Sequence, residues 1–345
     1  MTPSPAAPDR TVLFWPAVDP IRLQAFQQAA TSLLLVNCES ELEATQQISE
    51  AEGFVGQITP TLLAGATRLR WIQAVTASLE HTMFPELIDH PCQMSNCRGL
   101  FGDVIAEHVF ALLLSMSRQL HHYRDRQRSR RFEPHLGGFA GKHEIDFAAG
   151  PHEVSAADRS HFRLQDWSML IVGVGGIGIA VATRAAAWGM SVAGIDPIRR
   201  SVPGVLPTID VPKRLPELIG HHDVVVIAAP QTPETEGLFD ADLIARMRRG
   251  SRLINVGRGA IVDLEAVSDA LDRGHLAAAG LDVFATEPLP EDHSLWRQPN
   301  AILTPHVAAC SPIIAERHLR LLCDNLARFA EGRPLRNLID KVRWF

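Results

Sequence analysis

Three polar residues with complementary chemistry lie at the ends of predicted strands in the second half of the chain. Arg258 lies in "INVGRGAIVD", Glu287 in "GLDVFATEPLP" and His306 in "NAILTPH". A protonated imidazole can donate a proton, a carboxylate beside it favours the protonated form, and a guanidinium presents a fixed positive fork to an anion. Each residue alone also has an ordinary interpretation, as a surface arginine, a loop acid or a capping histidine. Because ligands bind at the carboxyl ends of strands in open α/β sheets, we expect the three side chains to converge on one crevice.

A glycine-rich turn lies upstream of these residues. Gly173, Gly175 and Gly178 follow the predicted strand "SMLIVGV" and begin the predicted helix "GIGIAVATRAAAWG". In this context the first glycine permits a tight turn, the second allows a pyrophosphate to approach the backbone, and the third lets the helix pack close to the strand. The helix N-terminus adds N–H groups and the positive end of a dipole. The motif therefore predicts a dinucleotide site.

Asp196 ends the next predicted strand, 18 residues after Gly178. An acid there can hydrogen-bond the hydroxyls of an adenosine ribose and repels a 2′-phosphate, whereas an arginine near this loop can accommodate the phosphate. Arg199 and Arg200 follow Pro197 and are expected to swing into solvent, so we predict a preference for NAD(H) with some use of NADP(H). Two alternatives remain, a Rossmann fold without a dinucleotide and an Asp196 that only caps a helix.

Strands alternate with helices over most of the chain. After residue 166 the strands are continuous apolar runs such as "DVVVIAAP", which is typical of a doubly wound parallel sheet covered on both faces. Residues 11 to about 120 alternate in the same way and predict a second α/β layer. Between them, "DVIAEHVFALLLSMSRQLHHY" predicts one long, largely buried helix with Asp103 as its cap. Its expected buried positions recur at helical spacing: Ile105, Val109, Leu112, Leu113 and Met116.

Residues 132 to 166 interrupt this pattern. They are rich in Gly, His and Ala and show no sustained period, so we predict an insertion or extended loop at a domain boundary. Four histidines lie in this stretch, namely His135, His143, His152 and His161. They are 8 or 9 residues apart, which is not the spacing of metal ligands, and no metal site is predicted.

Composition and charge argue against several classes of protein. A formal net charge of -6 argues against a general nucleic-acid binder. The local exception is "HHYRDRQRSRR", residues 121 to 131, which fits either a polyanion site or a solvated helix end and linker. The most apolar run, Met169 to Ala182, is too short to span a bilayer, and the start lacks the pattern of a signal peptide. Five cysteines without a Cys-x-x-Cys pair suggest no disulfide framework, and a cytoplasmic protein is expected.

From "WIQAVTASLEH" to "EGRPLRNLIDK" the chain resembles the D-isomer-specific 2-hydroxyacid dehydrogenases. The resemblance rests on the glycine motif followed in order by "QTPETEGLF", "INVGRGAIVD", "LDVFATEPLP" and "ILTPH". It implies that Arg258, Glu287 and His306 are catalytic. Reduction of a 2-oxo acid places negative charge on the carbonyl oxygen, to which His306 would donate a proton while Glu287 stabilises the protonated ring. Arg258 would hold the substrate carboxylate and the developing oxyanion.

The same resemblance assigns residues to a nicotinamide cofactor. In the family, an acid at the position of Asp282 orients the nicotinamide amide. The predicted cofactor-binding residues are Gly173, Gly175, Gly176, Ile177, Gly178, Asp196, Pro230, Val256, Gly257 and Asp282.

A loop matching Ala77, Ser78 and Leu79 holds the substrate carboxylate through backbone N–H groups in the family. The loop here, "TASLEH", lacks the glycine that is common there, and "HVAACS" carries alanines and Cys310 where glycines are frequent. Both departures change the pocket wall and leave the identity of the 2-hydroxy acid open. Arg98 in "NCRGLFGD" fits either a second arginine for a substrate anion or a surface arginine that caps local carbonyls.

The resemblance implies two Rossmann-like α/β domains, with the nucleotide domain inserted in the substrate domain. Residues 1–125 and 311–345 would bind substrate and residues 126–310 would bind NAD, with hinges near 125 and 310 and a cleft that closes on the substrate. Family members commonly dimerise through the nucleotide domain, so a homodimer is expected. An alternative from another class is an NADH-sensing binding protein of the corepressor type with little turnover, since such proteins keep the same three polar residues.

Overall fold

The computed structural model describes residues 10–134 and 156–345. The chain divides into two compact units: unit 1 comprises Met1–Leu100 and Ser311–Phe345, and unit 2 comprises Phe101–Cys310. Unit 2 is therefore inserted in the sequence of unit 1, and each unit contains its own parallel sheet. Most of the insertion expected at 132–166, with three of its four histidines, lies outside the described residues.

Unit 1 contains a five-stranded parallel sheet in the order β2-β1-β3-β4-β5. The strands are β1 (Arg10–Trp15), β2 (Leu33–Asn37), β3 (Gly53–Gly56), β4 (Trp71–Gln73) and β5 (Gln93–Ser95). The helices between them are α1 (Pro20–Ala29), α2 (Glu41–Gln47), α3 (Pro60–Gly65) and α4 (Pro85–Asp89). Asp19, Ser40 and Thr59 begin the first three helices, because each side chain accepts a hydrogen bond from a backbone N–H of the first turn.

Unit 2 contains a six-stranded parallel sheet in the order β11-β10-β9-β8-β6-β7. The strands are β6 (Ser168–Val172), β7 (Ser191–Ile195), β8 (Val224–Ile227), β9 (Ser251–Asn255), β10 (Leu276–Leu281) and β11 (Ala301–Leu303). The helices are α5 (Gly102–Ser117), α6 (Leu120–Arg128), α7 (Ala156–Ser160), α8 (Gly176–Ala187), α9 (Leu215–Leu218), α10 (Ala241–Ala245) and α11 (Leu264–Asp272). Short 3₁₀ turns complete the described elements: Ile48–Glu50, Leu164–Asp166, Pro212–Arg214, Ile219–His221, Gly259–Ile261 and Ser294–Arg297.

β8 and most of β6 are continuous apolar runs, because both faces of the sheet are covered. In β6, Met169 and Ile171 belong to one buried cluster, whereas Leu170 and Val172 belong to a second cluster. The same alternation holds along β8. Successive side chains of a strand point to opposite faces, so a continuous apolar run fills two cores at once. The predicted α/β fold with two Rossmann-like sheets is confirmed.

The chain returns to unit 1 through α12 (Pro312–Glu331), which ends at Gly332 in a left-handed conformation with φ of 68°. Leu322 and Leu326 of this helix lie in the same buried cluster as Phe26 of α1. Among residues 10–134 and 156–345, no helix has both the length and the apolar character needed to cross a membrane.

The single long helix predicted after Asp103 is two helices. It begins at Gly102, so Asp103 lies in the first turn rather than at the cap, and it ends at Ser117. Gln119 then takes a left-handed conformation with φ of 57°, and its side-chain amide donates to the Ser160 carbonyl at 2.7 Å. This turn separates α5 from α6. The five positions expected to be buried in α5 are all buried, which confirms its helical register.

α5 belongs to unit 2, although the sequence placed it with the first domain. Its apolar face, including Val109 and Leu113, packs with Val181 and Ala185 of α8 in one buried cluster. The boundary therefore lies between Leu100 and Phe101 rather than near residue 125. Burial of the apolar face decides the boundary, and the sequence alone does not show which sheet covers that face.

Candidate active site

The three motif glycines form a turn at the carboxyl end of β6, each with its own steric reason. Gly173 has φ of 92°, and a Cβ built on it would lie 2.6 Å from the backbone nitrogen of Ala229. A Cβ on Gly178 would lie 2.1 Å from the carbonyl oxygen of Gly173. A Cβ on Gly175 would meet no described heavy atom within 4 Å. Two glycines are thus required by packing, whereas Gly175 borders open space.

That open space lies at the N-terminus of α8, where Gly175 is the N-cap. In the described part of the chain no side chain caps this helix, although side chains cap α10 and α11. The N–H groups of the first turn of a helix lack intrahelical acceptors and carry partial positive charge. Gly175 faces open space at this helix N-terminus, which fits a bound pyrophosphate. A residue with a Cβ at position 175 would exclude the pyrophosphate.

Asp196 connects the loop after β7 to the glycine turn. One of its carboxylate oxygens accepts from the Val174 N–H at 2.9 Å, and the other accepts from the N–H groups of Ile198 and Arg199 at 2.8 and 2.7 Å. A carboxylate offers about four acceptor positions, so this arrangement leaves room for a ribose hydroxyl. Asp196 therefore organises the turn and still fits the predicted role.

The two arginines after Asp196 do not swing free, contrary to our expectation. Arg199 Nε donates to the Val174 carbonyl at 2.9 Å, and the Arg200 guanidinium donates to the carbonyls of Asp196 and Pro197, each at 2.9 Å. Loop carbonyls without another donor bind guanidinium groups well, which explains the difference. Both arginines are exposed yet remain beside the predicted ribose site.

Pro230, Val256 and Gly257 lie at the same edge of the sheet, after β8 and β9. The Val256 N–H donates to the carbonyl of Ile227, the last residue of β8, at 3.1 Å. A Cβ on Gly257 would lie 2.6 Å from the Ala229 carbonyl, so the two loops approach at backbone distance. Gly173 of the glycine turn and Gly257 both approach Ala229, the residue before Pro230, and contact of Pro230, Val256 and Gly257 with a cofactor stays a prediction.

Glu287 and His306 form a direct hydrogen-bonded pair. Glu287 Oε2 lies 2.8 Å from His306 Nδ1, and Glu287 Oε1 accepts from the Phe284 N–H at 2.9 Å. Partial burial raises the pKa of Glu287, but the hydrogen bonds from Phe284 and His306 and the charge of Arg258 outweigh this and lower it. The carboxylate therefore stays ionised beside the imidazole, and no described residue hydrogen-bonds the Nε2 of that ring.

The loop after β9, which carries Arg258, packs on the loop after β10, which carries Glu287. A Cβ on Gly259, the next residue, would lie 1.8 Å from the carbonyl carbon of Phe284. Only a glycine allows this approach, and it brings the Arg258 charge close enough to lower the pKa of Glu287. The three candidate catalytic residues are therefore assembled within unit 2.

His306 itself has a left-handed backbone conformation with φ of 53°, which is uncommon for a residue with a Cβ and costs about 1–2 kcal/mol. The cost is offset by hydrogen bonds to Asp282, which is 1% exposed. The Asp282 carboxylate accepts from Thr304 Oγ1 at 2.6 Å and from the N–H groups of Val307 and Ala308 at 3.0 and 2.9 Å. Asp282 thus holds the loop that carries His306, a role that the sequence did not indicate.

Sequence reasoning also missed His108 and Thr304. His108 Nε2 lies 3.0 Å from Thr304 Oγ1 and 3.6 Å from Asp282 Oδ1. The available signal was a histidine directly before Val109 in the apolar pattern of α5, since a polar residue beside a buried helix face needs a partner.

The predicted substrate-binding residues belong to unit 1, in the loops after β4 and β5. Leu79 is buried, and the Asn96 side-chain amide donates to the Ala77 carbonyl at 2.7 Å. Arg98 Nη2 donates to the Leu338 carbonyl at 2.9 Å. Contact between substrate and any of these residues, Ser78 included, stays a prediction. In the described residues, no group of three or more His, Cys, Asp or Glu side chains could hold a metal ion.

Comparison with known proteins identifies the family. Residues 110–308 match the model described as D-isomer specific 2-hydroxyacid dehydrogenase, NAD binding domain. The chain belongs to this family. A glyoxylate reductase from Thermofilum pendens is 28% identical over 83% of this chain and 79% of its own length. A D-3-phosphoglycerate dehydrogenase from Bacillus subtilis is 37% identical over 49% of this chain but only 32% of its own length.

A solved structure supports the same assignment. A D-isomer specific 2-hydroxyacid dehydrogenase family protein from Aeromonas salmonicida superposes with a TM-score of 0.73 and 31% identity, covering 96% of this chain and 99% of its own. The resemblance on which the catalytic assignment rests is confirmed at the level of the family. Nicotinamide-dependent oxidoreduction of 2-hydroxy acids is therefore the activity class of this chain.

The steric roles of the glycines predict different effects for two alanine variants. Gly178→Ala should lower the thermal unfolding midpoint by several degrees, because its Cβ overlaps the Gly173 carbonyl and α8 must shift. Gly175→Ala should keep the midpoint close to that of the wild type but weaken NADH binding by about tenfold or more, through intrusion on the pyrophosphate position. Calorimetry and NADH fluorescence titration measure the two effects. Unchanged NADH affinity in Gly175→Ala would contradict the proposed pyrophosphate site.

Proposed function

We propose that this protein reduces a small 2-oxo acid to the D-2-hydroxy acid with NADH, using His306 as the acid, Glu287 as its partner and Arg258 as the anion-binding residue. The observation that carries the proposal is the 2.8 Å hydrogen bond between His306 Nδ1 and Glu287 Oε2, with the Arg258 charge close enough to lower the pKa of the same carboxylate. Acid, orienting carboxylate and fixed cation are the groups that this reduction requires.

The protein's part in the reaction follows from this geometry. When bound, the nicotinamide supplies the hydride. As C2 of the 2-oxo acid gains a hydride, the C=O electron pair moves to oxygen, and that oxygen takes the proton from His306 Nε2. The imidazolium becomes neutral, and in the reverse direction the same nitrogen accepts the proton. Glu287 fixes the ring through Nδ1 and stabilises its charged form, while Arg258 holds the substrate carboxylate and the developing oxyanion.

The substrate class is inferred from the relatives. Two glyoxylate reductases match more than four-fifths of this chain, whereas the phosphoglycerate dehydrogenase of Bacillus subtilis matches about half of it. This supports glyoxylate and other short 2-oxo acids over longer ones. We also propose a homodimer formed through unit 2, which sedimentation at micromolar concentration would test.

The direct test measures NADH oxidation with a graded series of 2-oxo acids, from glyoxylate to phenylpyruvate. We expect the highest kcat/KM for the short members. Tight NADH binding without turnover of any member would contradict the proposal and favour the NADH-sensing alternative.

Arg258→Ala should lower kcat/KM by about 100- to 1,000-fold, the scale for loss of one oxyanion donor, and leave the Kd for NADH nearly unchanged. Arg273→Ala is a matched control, since Arg273 is an exposed arginine of the same unit that pairs with Asp269 at 2.9 Å. Steady-state kinetics and fluorescence titration separate the two effects. Near-normal kcat/KM in Arg258→Ala would make the catalytic assignment wrong.

Glu287→Gln should shift the upper pH limit of the reduction downward by about one pH unit or more, because the imidazolium loses its negative partner. The lowered pKa of Glu287 keeps the carboxylate ionised at and above its ordinary value of 4.5, so the partner is present throughout the neutral range. Its contribution to folding stability is likewise present above that value and is lost as the pH falls through the lowered pKa. The pH dependence of kcat/KM measures the shift, and the exposed Glu291→Gln serves as control. An unshifted pH profile would contradict the proposal that Glu287 stabilises the protonated ring of His306.

NADH should be preferred over NADPH by kcat/KM, because the Asp196 carboxylate repels a 2′-phosphate. Arg199→Gln should reduce the remaining NADPH activity more than the NADH activity, because Arg199 lies beside Asp196 and contacts the glycine turn. Initial rates at equal subsaturating cofactor concentrations measure both, with Arg200→Gln as the comparison. A higher rate with NADPH would overturn the role given to Asp196.

A further inference from the structure

His108 connects α5 to the loop that carries His306, and both lie in unit 2. Its ring Nε2 is 3.0 Å from Thr304 Oγ1 and 3.6 Å from Asp282 Oδ1. The side chain of His108 is 19% exposed and that of Asp282 is 1% exposed, so this contact is largely shielded from water. The backbone of α5 is fixed by packing of its apolar face on α8. His108 is therefore held on a rigid element and reaches a loop that has a strained residue.

The direction of the hydrogen bonds follows from the number of available protons. Thr304 has one hydroxyl proton, and its oxygen lies 2.6 Å from the Asp282 carboxylate, which can only accept when ionised. Thr304 therefore donates to Asp282. The lone pairs of its oxygen then accept from His108, so Nε2 carries the proton. The result is a directed chain from His108 through Thr304 to Asp282.

The end of this chain sets the backbone around His306. The Asp282 carboxylate accepts from the Val307 and Ala308 N–H groups, and the Asp282 main-chain carbonyl accepts from the His306 N–H at 2.8 Å. These bonds hold His306 at its left-handed φ of 53°. His108 donates to Thr304 and partly compensates the buried charge of Asp282. Through these two residues, His108 also fixes the direction of the His306 ring.

We propose that His108 is a positioning residue for the proton donor His306, acting through Thr304 and Asp282. The proposal rests on the function proposed above, in which His306 delivers a proton to the 2-oxo acid. His108 does not touch the reacting atoms. Its loss affects proton delivery, because small displacements of a catalytic group slow the reaction strongly, while the glycine turn and the loop that carries Arg258 keep their own contacts.

The test compares variants that separate shape from hydrogen bonding. His108→Leu fills the space without a donor, and His108→Gln keeps an N–H group at similar reach. Thr304→Val breaks the same chain from the loop side with little change in shape. Glu107→Gln is the control, since Glu107 is the neighbouring residue on α5, is 76% exposed and pairs with Arg184 at 3.7 Å.

We expect kcat to fall by about 10- to 100-fold in His108→Leu and Thr304→Val, with the KM for the 2-oxo acid and the Kd for NADH within about twofold of wild type. His108→Gln should recover to within about threefold of wild type, because the N–H donor is restored. Glu107→Gln should behave as wild type. The primary isotope effect with deuterated NADH should rise in the two impaired variants, since the chemical step becomes slower.

Three results would overturn the inference. The first is wild-type kcat in His108→Leu and Thr304→Val. The second is a parallel loss of kcat, NADH affinity and thermal stability that His108→Gln does not rescue, which would show a merely structural role. The third is an unchanged isotope effect. His306→Asn, measured in the same assays, separates the two proposals. A wild type without turnover contradicts the proposed function. If turnover is lost in His306→Asn but kept in His108→Leu, only the role of His108 is overturned.

Discussion

Asp282 brings a charged carboxylate into the interior of unit 2, and the geometry of the active-site edge follows from how that charge is hydrogen-bonded. A buried carboxylate is tolerated only when donors surround it, and here Thr304, Val307 and Ala308 supply them. To do so the loop after β11 must fold back over β10, which gives His306 its left-handed backbone. Hydrogen bonds to a charged group contribute about 1.5–3 kcal/mol each, enough to offset a strain of about 1–2 kcal/mol.

Close backbone approach is the second constraint on this edge. Glycines occupy the positions where neighbouring loops meet: Gly173 and Gly257 both contact Ala229, and Gly259 contacts Phe284. Each contact joins the loop after one strand to the loop after its neighbour in the sheet. As a result, the glycine turn, the Arg258 loop and the Glu287 loop form one continuous surface at the carboxyl ends of β6, β8, β9 and β10. The candidate cofactor-binding and catalytic residues of unit 2 therefore lie along a single sheet edge.

Three acids at this edge differ in role because their surroundings differ. Asp282 is enclosed and is committed to backbone and hydroxyl donors. Glu287 is partly exposed, and its pKa is lowered by hydrogen bonds and by Arg258, so it remains an anion available to the imidazole. Asp196 bonds three backbone N–H groups and keeps acceptor capacity at the surface. The residue type alone does not assign these roles; the burial of each carboxylate and the kind of donor around it do.

The sequence by itself determined the local features of this protein: strands with continuous apolar runs such as β8, the glycine turn before α8, and the order of the segments carrying Arg258, Glu287 and His306. These depend on side-chain periodicity and backbone freedom, which are properties of neighbouring residues. Only the tertiary structure decided that α5 packs in unit 2, that α5 ends before Gln119, and that Asp282 and His108 meet at Thr304 in the loop that carries His306. Those outcomes depend on which buried surface covers an apolar face and which distant donor satisfies a buried acceptor, and the pattern of a single chain segment encodes neither.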